Sequence, residues 1–367
     1  MTVKRLMALD VLRGLTIALM IMVNTPGSWQ YVYAPLRHAK WNGCTPTDLV
    51  FPFFLFIVGV SMWYSFKKYG SGLTKEGLQK VFKRFSVIFL LGLFLNLFPR
   101  FDFESVRILG VLQRIAIAYG VAAVLCMSFN VKQLLFWFVV IVLGYWALLY
   151  VGGPEDAYGL STNLVRDLDL AILGEKHMYK GYGIPFDPEG LLSSLPSVGT
   201  VLLGYFSGRI IERSQGTMEA IKKLIMYGVI GVVIGLVWGI VFPINKPIWT
   251  SSYVMYTGGL AMLFLSLLLW IIDVKGFKKW SQPFIHFGTN PLFIYLFSGL
   301  YVQTIIYLVK ITNENGETIS GYSFLYKHIF VPIAGNMNGS LLFAIAHITF
   351  FWFLTYILYR KKIFIKI

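Results

Sequence analysis

The chain has 367 residues, 57% of them apolar and only 13% charged, with a mean hydropathy of +0.68. Soluble domains carry about a quarter charged residues, so this composition excludes a soluble enzyme. The net charge of +15 would suggest nucleic acid in a soluble chain, but in a membrane protein it follows from the excess of Lys and Arg in cytoplasmic loops, and no nucleic-acid partner is expected.

A membrane crossing takes about 20 apolar residues, and ten stretches read as transmembrane helices: 8–25, 47–66, 84–98, 108–128, 133–151, 191–211, 222–243, 252–272, 284–309 and 340–359. The first carries Asp10 and Arg13, three residues apart and so on one helix face. They read either as an ion pair that locks helices together or as the lining of a polar cavity. No small-residue cleavage site follows, so this stretch is expected to stay as a helix rather than leave as a signal peptide. Asn24 closes it, either as a C-terminal device or as a donor to a carbonyl or developing oxyanion.

The next connection holds Arg37-His38-Ala39-Lys40-Trp41-Asn42-Gly43. Arg37 and Lys40 are expected to keep His38 neutral by like charge, which suits a general base; a polar surface histidine is the bland alternative. Trp41, beside it, is a candidate to stack on a sugar ring. Thr45-Pro46-Thr47-Asp48 is a helix start, in which Asp48 either caps or takes part in chemistry. Lys83 and Arg84 stand at the entry to the third stretch. Gln113 and Arg114 lie inside the fourth, where Arg114 has no acid near it in sequence and is the stronger candidate to hold an anion. The connection 152–190 is too long for a plain connector and is expected to fold over the mouth of the bundle. Asp187-Pro188-Glu189-Gly190 leads into the sixth stretch, where the acids suit a helix N-terminus or the hydroxyls and amine of a sugar. Asn245-Lys246 and Trp249 precede the eighth.

Alternate connections differ twofold in basic residues, twenty Lys and Arg against ten. Both termini are therefore expected in the cytoplasm, with 26–46, 99–107, 152–190, 244–251 and 310–339 outside. The fold class is all-α: a polytopic integral membrane helix bundle of about ten transmembrane helices, one domain over 1–367. Cys44 and Cys126 lack metal-ligand spacing, and no metal set, nucleophile elbow or phosphate loop stands out. Acidic and aromatic residues gather at the outer mouth and basic residues on the cytoplasmic side, a polarity that fits a donor inside and an acceptor outside.

Leu9-Asp10-Val11-Leu12-Arg13-Gly14, Val23-Asn24, His38 to Thr45, Asp48-Leu49-Val50-Phe51-Pro52, Arg107 to Arg114, Asp187-Pro188-Glu189-Gly190, Asn245-Lys246 with Trp249 and Ser252-Tyr253, Asn290, and Tyr356 to Phe364 together resemble the heparan-alpha-glucosaminide N-acetyltransferase family over nearly the whole chain. The resemblance implies transfer of an acetyl group from cytoplasmic acetyl-CoA, as co-substrate, to the amine of a glucosamine-type sugar or oligosaccharide across the bilayer. It places the active-site histidine at His38 and its partner at Asn24. Arg114, Lys83, Arg84, Lys246 and Arg13 are candidates for the CoA phosphates, and Trp41, Asn42, Asp48, Asp187, Glu189 and Asn245 for the acceptor. A bacterial inner membrane and a homodimer follow from the same resemblance. An O-acetyltransferase of cell-surface glycans is an alternative, although there a histidine usually stands where this chain has Asn24. A sugar permease and a membrane scaffold are the rivals outside enzymology.

Overall fold

A computed structural model describes residues 6–66, 72–153, 156–312, 316 and 318–365. Lys4, Arg5, Lys67, Lys68, Glu155 and Lys366, which contribute to the charge asymmetry, lie outside the described residues. All ten expected stretches are helical, and the chain is a helical membrane bundle. Eight segments among the described residues are long and apolar enough to cross a membrane: α1 (Met7–Asn24), α2 (Val50–Phe66, with one preceding 3₁₀ turn), α4 (Val111–Ser128), α5 (Val131–Gly152), α8 (Thr217–Trp238), α9 (Ser251–Leu268, prolonged by a π turn), α11 (Pro291–Gln303, likewise prolonged) and the run ending in α13 (Val331–Arg360).

The other two expected spans are α3 (Lys75–Leu97) and α7 (Ser194–Arg213). Each is long enough to cross but more polar, for different reasons. The first half of α3 carries Lys75, Glu76, Lys80, Lys83 and Arg84. Helix α7 is sheathed by protein, with Ser194, Ser197, Thr200 and Ser207 all fully buried, so it does not need an apolar surface toward lipid. Helices in lipid associate by close packing and hydrogen bonds rather than by water exclusion, and small residues permit the approach. A Cβ added to Gly204 of α7 would meet the Phe56 carbonyl oxygen of α2 at 1.9 Å, and one on Gly59 of α2 would meet the Val201 oxygen at the same distance.

Three regions differ from the expected outline. The stretch 284–309 is broken: α10 (Gln282–Thr289) stops at Asn290, and Pro291, which lacks an N–H, opens α11. Asn290 holds the C-terminal tail there, donating to the Ile363 carbonyl (3.0 Å) and accepting from the Ile365 N–H (2.7 Å). The connection 310–339 contains an antiparallel pair, β1 (Lys310–Thr312) and β2 (Thr318–Ser320), with Ile311 opposite Ile319, then a short α12 (Gly321–Leu325). The beginning of α13 also falls within it, and that helix kinks at Gly335, where φ is +73°. The connection 152–190 contains α6 (Leu164–Leu173), capped by Asn163, whose side chain accepts from the Arg166 N–H at 2.9 Å.

Helices α1, α2, α4, α7 and α9 supply most of the main core. Their chain directions bring the end of α1, the start of α2, the start of α4 and the start of α9 to one end of the bundle. The residues singled out between helices meet at this mouth end.

Candidate active site

A cavity of about 340 Å³ enters the bundle from the mouth end. Its deeper wall is Thr16, Ile17 and Met20 of α1 with Leu112 and Ile115 of α4; nearer the mouth stand Asn24, His38, Asp48, Arg107, Glu189 and Lys246. The volume lies within the range usual for small-molecule sites.

Asp48 organises this mouth with both carboxylate oxygens. Its Oδ2 accepts from the Thr45 N–H (3.1 Å), as the sequence of the helix start anticipates, and also from the Ala39 N–H (3.0 Å). Its Oδ1 lies 2.6 Å from His38 Nδ1. The cap of the helix start and the contact with His38 fall to one side chain. An ionised carboxylate only accepts, so His38 donates from Nδ1, and its Nε2 is left as the basic nitrogen. The His38 side chain is 45% exposed whereas that of Asp48 is 2% exposed, so the ring faces the cavity from a buried anchor. Arg37 is turned away, its Nε donating to the Val32 carbonyl at 2.7 Å. The charged partners that His38 meets are Asp48 and Lys246, not Arg37 and Lys40: contacts made across the chain override nearness in sequence.

Lys246 arrives from the connection between α8 and α9, with Nζ 3.3 Å from Asp48 Oδ1 and 3.2 Å from His38 Nδ1. Burial lowers its pKa, an effect that the charge of Asp48 opposes. Asn245 donates to the Asn42 side chain (3.0 Å), Gly43 N–H donates to the Ile244 carbonyl (2.7 Å), and Tyr253 Oη donates to the Asp48 carbonyl (2.6 Å). Asn42 and Asn245 therefore join the two loops that carry His38 and Lys246.

Asn24 lines the same cavity, and its amide makes no hydrogen bond to the described residues. The helix end is closed by its neighbour: both the N–H and the hydroxyl of Thr25 donate to the Ile21 carbonyl, at 3.0 and 2.6 Å. Asn24 is thus relieved of the capping role, and its amide stands at the cavity without a partner among the described residues.

The opposite wall is an ion cluster. Arg107 donates from Nε and Nη2 to the two oxygens of Asp187 (2.9 and 2.6 Å) and from Nη2 to Glu189 (2.5 Å), with its guanidinium 4.7 Å over the Tyr179 ring. Burial alone would raise the pKa of Glu189, but Arg107 and Arg114 hold it below its ordinary value. Asp187 is fully buried behind this wall, so the two acids answer Arg107 rather than the N-terminus of α7. Trp41 donates from Nε1 to the Tyr158 carbonyl (2.8 Å) and meets Phe186 and Tyr182 edge-on. Tyr179 and Tyr182 of the 152–190 connection line the cavity with it.

The remaining basic candidates do not line the cavity. Arg114 is completely buried, 4.8 Å from the ring of Trp249, which does line it. Its Nη2 donates to the Ser193 hydroxyl and to the Gly190 carbonyl (3.4 Å). Arg13 bridges Asp10 (2.9 Å), the Ser61 hydroxyl (2.8 Å) and the Gly288 carbonyl (3.4 Å), which joins α1 to α2 and α10. Arg84 lies over Tyr119 at 4.6 Å, and Lys83 is exposed beside it, both in the half of α3 away from the mouth. For Arg13 the geometry is that of the helix-locking alternative.

Arg107, Tyr179, Tyr182 and Trp249 escaped selection as site residues from the sequence. Arg107 had a signal, a basic residue just ahead of a buried helix; the two tyrosines sit in an irregular segment with no periodicity. Trp249 is held in the left-handed region, φ +49°, a strain that tertiary contacts must sustain: its Nε1 donates to Thr200 (3.2 Å) and Phe51 and Tyr253 meet it edge-on.

Residues 5–235 match the family described as Heparan-alpha-glucosaminide N-acetyltransferase, catalytic. The chain belongs to this family. It is 28% identical over 430 residues to heparan-alpha-glucosaminide N-acetyltransferase of Homo sapiens, a match that covers 99% of this chain and 60% of that protein. The Mus musculus protein of the same name is 27% identical over 429 residues with the same coverage. The chain thus spans about 60% of the length of these curated relatives. The matched family segment contains the helices and loops that carry Asn24, His38, Asp48, Arg107 and Glu189; Lys246 lies beyond it.

Proposed function

We propose that this family member transfers an acetyl group from acetyl-CoA to the amine of a glucosamine-type sugar. His38 acts as general base, Asn24 as donor to the carbonyl oxygen, and Asp48 as the residue that positions His38. The observation that carries this reading is the His38 ring, fixed through Nδ1 at 2.6 Å from Asp48 and open to a cavity that the unengaged Asn24 amide shares. The amine nitrogen attacks the thioester carbon while His38 Nε2 takes its proton. The C–N bond forms, the C–S bond breaks, and the proton passes to the departing thiolate. Asn24 stabilises the oxygen that gains negative charge. One positioned base suffices for direct transfer, so a covalent acetyl-histidine is not required.

The aromatic wall of Trp41, Tyr179 and Tyr182 and the carboxylate of Glu189 suit a sugar ring and its ammonium group. The charge asymmetry of the sequence supports a cytoplasmic donor and an acceptor on the far side, with both termini in the cytoplasm; on the family resemblance alone we assign the bundle to a bacterial inner membrane. Lys83 and Arg84 then serve the phosphates at the cytoplasmic end, while Arg114 acts indirectly, by holding Trp249. The test is reconstituted protein with acetyl-CoA and glucosamine: His38→Ala is expected to abolish product formation at unchanged melting temperature. Undiminished turnover by that variant would overturn the assignment.

A further inference from the structure

A second cavity, of about 190 Å³, lies between α1, α3 and α11. Met20, Asn24 and Tyr295 line both it and the cavity that holds His38. These three side chains border both spaces, and Met20 is unbranched and adaptable. The amide assigned to the acyl carbonyl is therefore also part of the wall of an adjoining chamber.

Away from the wall shared with the first cavity, where Asn24 and Tyr295 stand, that chamber offers few free donors. Its other polar residues direct theirs to helix carbonyls: Thr25 to Ile21 (2.6 Å), Ser298 to Tyr295 (2.9 Å) and Gln303 to Leu95 (2.9 Å). The rest of the wall includes Ile21, Leu95 and Val302. A sugar would find few partners for its hydroxyls here, and buried hydroxyls without partners are costly. Hydrocarbon pays no such penalty. At about 10–15 Å³ of cavity volume for each group of water size, the chamber holds several groups in a row, enough for the carbons of a hexanoyl chain.

We infer that the chamber beside Asn24 receives the carbon chain of the donor's acyl group, so that the protein transfers acyl groups longer than acetyl. The inference rests on the proposed roles of His38 and Asn24. The bonds exchanged are those of acetyl transfer: the amine nitrogen to carbonyl carbon bond forms, the carbon to sulfur bond breaks, and the amine proton ends on the thiol. Only the chain behind the carbonyl is extended.

The experiment measures kcat/KM for acetyl-, propionyl-, butyryl- and hexanoyl-CoA with glucosamine, using the full chain in detergent or proteoliposomes. The wild type is expected to use hexanoyl-CoA within thirtyfold of acetyl-CoA. Val302→Trp and Ser298→Phe, two independent fillings of the chamber, are each expected to lower the hexanoyl-to-acetyl ratio at least tenfold. A wild-type hexanoyl rate more than thirtyfold below acetyl overturns the inference. So does an unchanged ratio in the filled variants that fold, as expected if a membrane lipid occupies the space. In both cases retained acetyl transfer leaves the roles of His38 and Asn24 standing, whereas no transfer from any donor overturns those roles and this inference together.

Discussion

Replacing Asp48 with Asn exchanges one oxygen for a nitrogen and is expected to reverse the orientation of the His38 proton. On the Oδ2 side Asp48 accepts two backbone N–H groups, from Ala39 at 3.0 Å and Thr45 at 3.1 Å. An asparagine has a single acceptor oxygen, and two fixed donors draw it to that side. Its NH₂ then faces His38 Nδ1, now 2.6 Å away from a carboxylate oxygen, and Nδ1 has to accept instead of donate. Lys246 Nζ, 3.2 Å from Nδ1, favours the same change. The ring proton moves to Nε2, the atom that has to take the proton of the attacking amine. General-base catalysis contributes about 10²–10⁴ in rate, and an Asp→Asn change behind the histidine of a Ser-His-Asp triad costs about 10⁴. The expected loss in kcat is thus about 10²–10⁴, or about 3–5 kcal/mol. KM is expected to change little, since the Asp48 side chain is only 2% exposed. Initial rates against both substrates separate the two constants, and a melting curve in detergent checks the fold. A folded Asp48→Asn protein with kcat within about threefold of wild type would refute the reasoning.

Three further outcomes follow from the packing and charge. Arg107→Ala leaves fully buried Asp187 and its neighbour Glu189 without the cation that bonds to both, and breaking such a pair costs about 3–5 kcal/mol; a marked fall in melting temperature checks it, and a melting temperature within a degree of wild type counts against the pairing. Burial pushes the Asp169 carboxyl up to about 7, so the folded chain keeps a proton that the unfolded chain releases near 4. Stability is then expected to fall as pH rises from about 4 to about 7, by up to about 4 kcal/mol, and to fall less in Asp169→Asn; thermal unfolding across that window measures both, and parallel profiles would remove the effect. Gly204→Leu drives a side chain into the Phe56 carbonyl and is expected to destabilise by more than about 3 kcal/mol, whereas Gly144→Leu, with nothing within 4 Å, is expected to be tolerated; size-exclusion profiles of the two proteins give the comparison.

Much of the bundle was legible because apolar runs of membrane length have few other uses. The break at Asn290–Pro291 was hidden inside the continuous run 284–309, since a proline at the first turn of a helix and one inside a helix look alike in composition. Helix α7 was found as an apolar stretch, but its serines and glycines take their meaning from contact with α2. Among site residues, Asn24, His38, Asp48, Glu189, Trp41 and Lys246 reach one cavity. The anion role expected of Arg114 rested on the absence of nearby acids in sequence; in space its guanidinium lies over the Trp249 ring, and the basic residues that line the cavity are Arg107 and Lys246.

Composition and charge spacing by themselves determined that this chain is a helical membrane bundle whose chemistry sits in a few polar residues, because hydrocarbon tolerates only helices with internally satisfied backbones and makes each buried charge costly. Tertiary structure alone decided which of those residues face one another. The contact of Asp48 with His38 spans ten residues, and that of Lys246 with Asp48 spans 198. Such pairings depend on where the helices begin and how the loops between them are tied. A one-dimensional pattern records the residue types at both ends of such a contact but not the distance between them.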